Sequence, residues 1–155
     1  MPKFPAEEIR ATYERYVATR DRIEAGELPW DALAGFFTED ATFIDPAWGR
    51  IEGRSEIEKF LVESMAGLDD WSFPHQWAMV GEDRVVARWM NRLPGRRPDG
   101  SHYEVPGYSL MIYAGGGRFS YEEDTLNMVH VAEVMGESGW KPSPEFNLPP
   151  RHPRR

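Results

Sequence analysis

The spacing of apolar residues in the first part of the chain is that of helices with one buried face. Between residues 6 and 25, apolar side chains recur every three or four positions. The members of this stripe are Ile9, Tyr13, Tyr16, Val17 and Ile23. A second, shorter helix is predicted after Pro29, and a third over residues 55–66 with Ser55 as its N-cap. Residues 41–46, between these two helices, predict a short strand.

The second half of the chain has the periodicity and composition of strands. Four runs rich in β-branched and aromatic residues are separated by clusters of glycine, proline and aspartate. The predicted strands cover residues 71–80, 84–93, 103–113 and 118–126. Because turns join consecutive strands, we expect an antiparallel meander. Helices followed by a meander indicate an α+β fold.

The C-terminal end differs in composition from the rest of the chain. Residues 141–155 are rich in proline, which disfavours both a helix and a central strand. We therefore expect a single domain over residues 1–140 and a proline-rich extension over residues 141–155. The extension is predicted to be an extended arm, either disordered or lying on a neighbouring subunit.

Composition and charge disfavour several classes of function. The chain has 155 residues, the size of one domain, and its net charge of −8 disfavours nucleic acid binding. It has no cysteine, and no histidine pair has the spacing of metal ligands, so we predict no metal site. No apolar run approaches the ~18 residues that span a membrane, and we expect a soluble cytoplasmic protein without membrane contact. Six tryptophans favour a cavity with flat apolar walls.

Two strings of residues carry a resemblance to a known superfamily. They are residues 36–46, Phe-Phe-Thr-Glu-Asp-Ala-Thr-Phe-Ile-Asp-Pro, and residues 53–57, Gly-Arg-Ser-Glu-Ile. With the order of elements over residues 9–134, they resemble the nuclear-transport-factor-like superfamily, which includes SnoaL-like polyketide cyclases and ketosteroid isomerase. The resemblance implies a cystatin-like cone, in which three N-terminal helices pack on a curved antiparallel sheet and enclose one apolar pocket. It also implies a homodimer.

Asp45 ends the first predicted strand and matches the general base of the ketosteroid isomerase-like members. Burial at the mouth of an apolar pocket raises the pKa of a carboxyl group, which suits a base that takes a proton from carbon. The alternative is a turn at Asp45 and Pro46 in which the aspartate accepts backbone hydrogen bonds.

The resemblance places Tyr16 and Ser109 around the same pocket. Tyr16 matches a tyrosine that donates a hydrogen bond to an oxyanion, with packing against Ile9 and Tyr13 as the alternative. Ser109 stands where the isomerase has a protonated aspartate, so half of that oxyanion hole is missing here.

The last predicted strand places two carboxylates on one face. Alternation separates Glu122, Asp124 and Leu126 from Phe119, Tyr121 and Glu123. The resemblance implies that Glu122, Asp124 and Leu126 face the cavity. It also matches Asp124 with the general acid or base of SnoaL-like proteins. Two carboxylates in one pocket repel each other, which raises at least one pKa. A register slip of one residue would instead leave both carboxylates in water.

Three further residues are candidates for ligand binding. Trp89 and Asn91 alternate on one strand, on the side that the resemblance turns inward, where they offer a flat wall and a polar anchor. Core filling is the alternative for Trp89. His75 lies on a predicted strand and is a candidate proton shuttle, with an ordinary surface or packed histidine as the alternative.

These residues favour a SnoaL-like enzyme that acts on a largely apolar, ring-containing small molecule without a cofactor. The reaction classes are isomerisation, cyclisation, dehydration and hydration. Asp45, Asp124 and Tyr16 are the predicted catalytic residues; the predicted substrate-binding residues are Trp89, Asn91, Ser109, Glu122 and His75. The alternative is a non-catalytic ligand-binding or dimeric interaction module of the same fold.

The outward face of the predicted sheet bears on two other functions. An epoxide hydrolase would need Arg88 in the cavity, but alternation with Trp89 turns Arg88 outward. Trp77, Met79 and Met90 are predicted to make this face apolar, and it is the expected surface of a homodimer.

Overall fold

A computed structural model describes all residues from 1 to 155 as helices packed on one curved six-stranded sheet. The helices are α1 (Ala6–Glu24), a 3₁₀ helix (Trp30–Phe36), α2 (Arg54–Met65) and α3 (Met128–Ser138). The strands are β1 (Phe37–Asp45), β2 (Gly49–Glu52), β3 (His75–Gly81), β4 (Arg84–Arg96), β5 (His102–Gly115) and β6 (Arg118–Leu126). The predicted α+β cone is confirmed. None of the helices has the length and hydrophobicity needed to cross a bilayer.

The strands lie in the order β2-β1-β6-β5-β4-β3. Strands β3 to β6 form the predicted antiparallel meander, and β1 joins it by pairing in parallel with β6. Strand β2 was not predicted, and it forms a hairpin with β1. Gly53, at a φ of 88°, precedes α2 as its N-cap, so the predicted cap at Ser55 is wrong.

Helix α1 buries the predicted stripe with one change. Ile9, Tyr13, Tyr16 and Ile23 are buried, whereas Val17 is only half-buried. Arg20 takes a place in the stripe, four residues after Tyr16 and three before Ile23, and is 9% exposed. A charged residue therefore occupies a helix face that is otherwise directed into the core.

Two groups of buried residues hold the sheet and the helices together. The larger group joins α1, the 3₁₀ helix and α2 to the strands and includes Phe37, Phe43, Phe60 and Phe119. The smaller group lies at the other end of the sheet, where α3 packs on β4 and β5, and consists of Trp71, Leu93, Val105, Val131 and Val134. An open cavity remains between the two groups.

Strand β6 departs from strict alternation near its start. Phe119 is fully buried in the core, and Glu122, three residues later, is buried as well. The pairing of β5 with β6 shifts register between Ile112 and Tyr113, which inserts an extra residue. The prediction that Phe119 shares an outward face with Tyr121 and Glu123 is therefore wrong, because a bulge resets the alternation before the carboxylates are reached.

The C-terminal extension lies on its own chain. The backbone N–H of Arg50 donates to the carbonyl oxygen of Arg154 at 2.7 Å, and the Asn147 amide donates to the carbonyl oxygen of Glu63 at 2.9 Å. The extension is a chain without helix or strand, as its prolines predicted.

The outward face of β3, β4 and β5 carries exposed apolar side chains. Trp77 is 40% exposed and Met79 67%. Val86 and Tyr108 lie on the same face, and the rings of Trp77 and Tyr108 are 6.2 Å apart. Met90, which was expected to contribute to this surface, is buried and does not.

Gly107 makes room for the indole ring of Trp89 across the sheet. The two residues pair between β4 and β5, and a Cβ atom on residue 107 would overlap the ring. Trp89 is itself held by a hydrogen bond from Nε1 to Ser109 Oγ at 2.9 Å. The indole therefore cannot move aside without losing a buried partner.

We expect Gly107→Ala to lower the free energy of unfolding by about 1–3 kcal/mol, as overpacking does in well-packed cores. Urea denaturation measures this change. Gly81→Ala is the matched control, because Gly81 is also a strand residue and a Cβ there meets nothing within 4 Å. Equal stability of the two variants would contradict the packing described for Trp89.

Candidate active site

A cavity of about 300 Å³ lies between the two buried groups and is lined mostly by apolar side chains. Helix α1, the 3₁₀ helix, α2, α3 and strands β1, β4, β5 and β6 all contribute to its wall. The C-terminal extension covers part of it with Phe146, Asn147 and Pro149. The polar wall residues cluster on β5, β6 and the facing side of α1.

Glu122 lies in this wall and is 3% exposed. The Tyr16 hydroxyl, which reaches it from α1, is 3.0 Å from Glu122 Oε2 and 3.3 Å from Oε1. Tyr16 was predicted as an oxyanion donor, but its single O–H proton is directed at Glu122. It therefore holds this carboxyl group in place.

Asp124 follows two residues later on the same strand and faces the same cavity. Ser109 Oγ donates to Asp124 Oδ1 at 2.6 Å and accepts from Trp89 Nε1 at 2.9 Å. Ser109 and Asp124 are opposite each other across β5 and β6, which explains the short contact. The register slip considered for this strand does not occur at either carboxylate.

The environment raises the pKa values of both carboxyl groups. Burial raises the pKa of Asp124 to about 6, although the hydrogen bond from Ser109 opposes the increase. Burial, with the negative charge of Asp124 next to it, raises the pKa of Glu122 well above its usual range. The environment therefore favours the protonated form of Glu122 more than that of Asp124, and the two carboxyl groups titrate as a coupled pair.

Asp45 also lines the cavity, at the end of β1. Its Oδ1 accepts the backbone N–H groups of Ala47 and Trp48, both at 2.8 Å, so it forms the turn that was the alternative interpretation. Burial raises the pKa of Asp45, and these two hydrogen bonds limit the increase. Asp45 thus combines a turn-forming oxygen with a place in the cavity wall.

The remaining predicted ligand-binding residues divide into two groups. Trp89 and Asn91 are both buried and line the cavity from β4. His75 does not, because it lies at the start of β3 against the other side of α1, with its ring 5.5 Å from that of Tyr13. The location predicted for His75 as a shuttle inside the pocket is therefore wrong. His75 follows residues 71–74, which lie outside the named strands, and the pairing of β3 with β4 shifts register directly after it, between His75 and Trp77.

Arg20 and Trp71 line the same cavity and were not predicted as site residues. The signal for Arg20 was present, since it continues the spacing of Tyr16 and Ile23 on α1. Trp71 lies outside the regular elements, before β3, so periodicity could not indicate which way its side chain is directed.

The polar groups of the cavity can hold, take and return a proton next to an apolar surface. Two carboxyl groups with raised pKa values lie two residues apart, and each has its own hydrogen-bonding partner. No group of three or more histidine, aspartate or glutamate side chains is arranged to hold a metal ion.

Solved structures with similar folds come from several proteins. A steroid delta-isomerase from Pseudomonas aeruginosa matches with a TM-score of 0.61 at 17% identity, over 89% of this chain and 95% of the other. A protein with a ketosteroid isomerase-like fold from Catenulispora acidiphila DSM 44928, in complex with trimethylamine, matches with a TM-score of 0.55 at 21% identity, over 72% and 86%. TerC, co-crystallised with polyporic acid, matches with a TM-score of 0.55 at 19% identity, over 84% and 96%. Identities this low establish the fold alone.

Comparison at the level of sequence gives the family. No curated protein matches the chain. The family model described as a SnoaL-like domain matches residues 13–121, which contain most of α1, all of α2 and the sheet up to the first half of β6. The chain therefore belongs to the SnoaL-like domain family.

Proposed function

We propose that this protein binds a small, largely apolar, ring-containing molecule and transfers protons to or from it without a cofactor. The observation that supports this is the placement of Glu122 and Asp124, both with raised pKa values, in one apolar cavity. Isomerisation, cyclisation, dehydration and hydration all need such a pair when a proton leaves one atom and returns to another.

Asp124 is the proposed base. Its carboxylate takes a proton from a carbon next to a carbonyl group, and the electrons of that C–H bond move to the carbonyl oxygen. Asn91, buried in the same wall, is placed to position that oxygen. Protonation of the enolate at a second carbon, by Asp124 or by Glu122, completes an isomerisation. Tyr16 and Ser109 keep the two carboxyl groups oriented throughout.

The volume of the cavity limits the size of the ligand. A cavity of about 150 Å³ holds benzene, and the volume here is about 300 Å³. A molecule with about two fused rings therefore fits, between the flat surfaces of Trp89, Trp30 and Phe73.

A ligand-binding pocket without turnover is the alternative. It is supported by the internal use of two polar groups, because the Tyr16 proton and the Asp45 Oδ1 atom both have partners within the chain. It differs from the first proposal in one measurable respect, since binding alone does not exchange carbon-bound protons.

Deuterium exchange at carbon tests the proposed base. We expect the protein to accelerate deuterium incorporation next to the carbonyl group of 2-tetralone or 2-indanone in D₂O, followed by NMR. Asp124→Asn should reduce that acceleration by about 10²-fold or more, the usual contribution of a general base. Asp69→Asn, at an exposed aspartate, is the control and should leave it unchanged. Exchange at the buffer rate with the wild-type protein would argue for binding without turnover, whereas an unaffected Asp124→Asn variant would contradict the role of Asp124 as the base.

The raised pKa of Asp124 also predicts a pH dependence of stability. The folded state holds this proton up to a pKa of about 6, whereas the ordinary pKa of an aspartate is 3.8, so protonation favours the folded state. This contribution is fully present below about pH 4 and is lost as the pH rises through 6. We expect the free energy of unfolding of the wild type, relative to Asp124→Asn, to fall between pH 4 and pH 7.5. Urea denaturation across this range measures it, and a difference that does not vary with pH would refute the assignment.

We further propose that a second copy of the chain covers the outward face of β3, β4 and β5. The exposed side chains of Trp77, Met79, Val86 and Tyr108 lie on three neighbouring strands and form one apolar surface. The open face of a sheet can meet its own copy across a twofold axis, which buries the same residues on both subunits.

Sedimentation velocity tests the dimer. We expect the wild type to sediment as a dimer and Met79→Glu as a monomer, because the introduced charge would be buried twice in the interface. Val62→Glu is the matched control, since Val62 is 48% exposed on α2, away from this face. A monomeric wild type, or a dimer that Val62→Glu also disrupts, would contradict the proposed surface.

A further inference from the structure

Arg20 is a buried cation without a partner in the cavity wall. It is 9% exposed, and its Nε and Nη2 atoms are buried without any hydrogen bond. It takes part in none of the ion pairs of the chain. Buried polar groups in proteins are normally satisfied, so a buried guanidinium that is not satisfied needs an explanation.

The nearby carboxylates do not supply that explanation. The positive charge of Arg20 opposes the rise in the pKa of Glu122, Asp124 and Glu24, so it acts on all three carboxyl groups through space. Glu122 and Asp124, however, are hydrogen-bonded to Tyr16 and Ser109. Glu24 accepts the backbone N–H of Phe73 at 2.9 Å. The neighbouring carboxylates therefore have other partners, and the guanidinium donors stay free.

A second donor in the cavity wall has the same property. Trp71 Nε1 is buried, has no hydrogen-bond partner and belongs to a residue that lines the cavity. The buried side-chain atoms of the wall that lack a partner are thus all N–H donors, from Arg20 and Trp71. A ligand that satisfies them has to supply acceptor oxygens, and a negatively charged oxygen complements the guanidinium best.

The backbone of Arg20 lies one turn of α1 beyond that of Tyr16. Arg20 follows Tyr16 by four residues on α1, a distance of about 6 Å along the helix axis. A ring system of the size that the cavity admits can therefore bind Arg20 at one end and approach Asp124 with the other.

We propose that Arg20 is a substrate-binding residue and that the substrate is a ring-containing acid whose anionic oxygen, a carboxylate or an acidic enolate or phenolate, binds its guanidinium. This inference rests on the proposed function, because it names the substrate class of the same cavity. Trp71 Nε1 provides a second donor for an oxygen of the ligand.

Binding of matched probes tests the charge preference. Titration calorimetry with 2-naphthoate and 2-naphthamide compares ligands of the same shape that differ in charge, and 4-nitrophenol reports phenolate binding through the yellow colour of its anion. We expect the wild type to bind 2-naphthoate about tenfold or more tightly than 2-naphthamide, as charge-assisted hydrogen bonds give. Arg20→Gln should abolish this preference and leave the affinity for the amide within about threefold.

The control variant is Arg22→Gln on the same helix. Arg22 is exposed and pairs with Glu27 at the surface, so its replacement removes the same charge from the protein without touching the cavity. We expect it to keep the preference for the carboxylate. Arg20→Lys retains the charge without the planar fork and should keep part of the preference, which gives a second readout if Arg20→Gln does not fold.

The outcomes separate this inference from the proposed chemistry. Equal affinity of the wild type for both naphthalene probes, with no colour change in 4-nitrophenol, would overturn the role of Arg20. So would a preference that survives in Arg20→Gln or is lost equally in Arg22→Gln. If the protein prefers 2-naphthoate and 4-nitrophenol does not change colour, the substrate is a carboxylic acid. If only the colour of 4-nitrophenol changes, the substrate is an acidic enol or phenol. The preference should persist in Asp124→Asn even where deuterium exchange is lost, so failure of the base does not count as failure of the anion site.

Discussion

Two carboxyl groups lie two residues apart on one strand and face the same apolar cavity. Their mutual repulsion and their burial both oppose ionisation, so the pair retains a proton that isolated surface carboxylates would lose. Each group is then held by a hydroxyl from a different element, Tyr16 from α1 and Ser109 from β5. The positions of α1 and of the β5–β6 register are therefore linked to the chemistry through hydrogen bonds as well as through packing.

The surrounding fold keeps this polar pair in apolar surroundings. The cavity lies between two separate groups of buried residues, one under α1 and α2 and the other under α3. Neither group fills the space between them, and the C-terminal extension covers part of the opening with Phe146 and Pro149. Exclusion of water is what makes the burial effect on the carboxyl groups large, since a carboxylate in contact with water keeps its ordinary pKa.

Arg20 forms a second polar region in the cavity wall. Glu122 and Asp124 have partners within the chain, whereas the guanidinium and Trp71 Nε1 do not. In our proposals, acid–base chemistry belongs to Glu122 and Asp124 on β6, and anion binding belongs to Arg20, one turn of α1 beyond Tyr16. Burial of the Arg20 charge on a helix face that packs against the core costs free energy, and a bound anion would offset that cost.

The sequence alone determined the fold class and most of the carboxylate site. Helical spacing located α1 and α2, turn residues separated β3 to β6, and alternation placed Glu122 and Asp124 on one face, because these signals act between near neighbours in the chain. The tertiary structure alone decided how distant segments meet: the parallel pairing of β1 with β6, the bulge that buries Phe119, and the position of His75 outside the cavity. It also decided that Tyr16 contacts Glu122 and that Arg20 has no partner. Such contacts depend on register and on packing between elements far apart in sequence, and no periodicity within one segment encodes them.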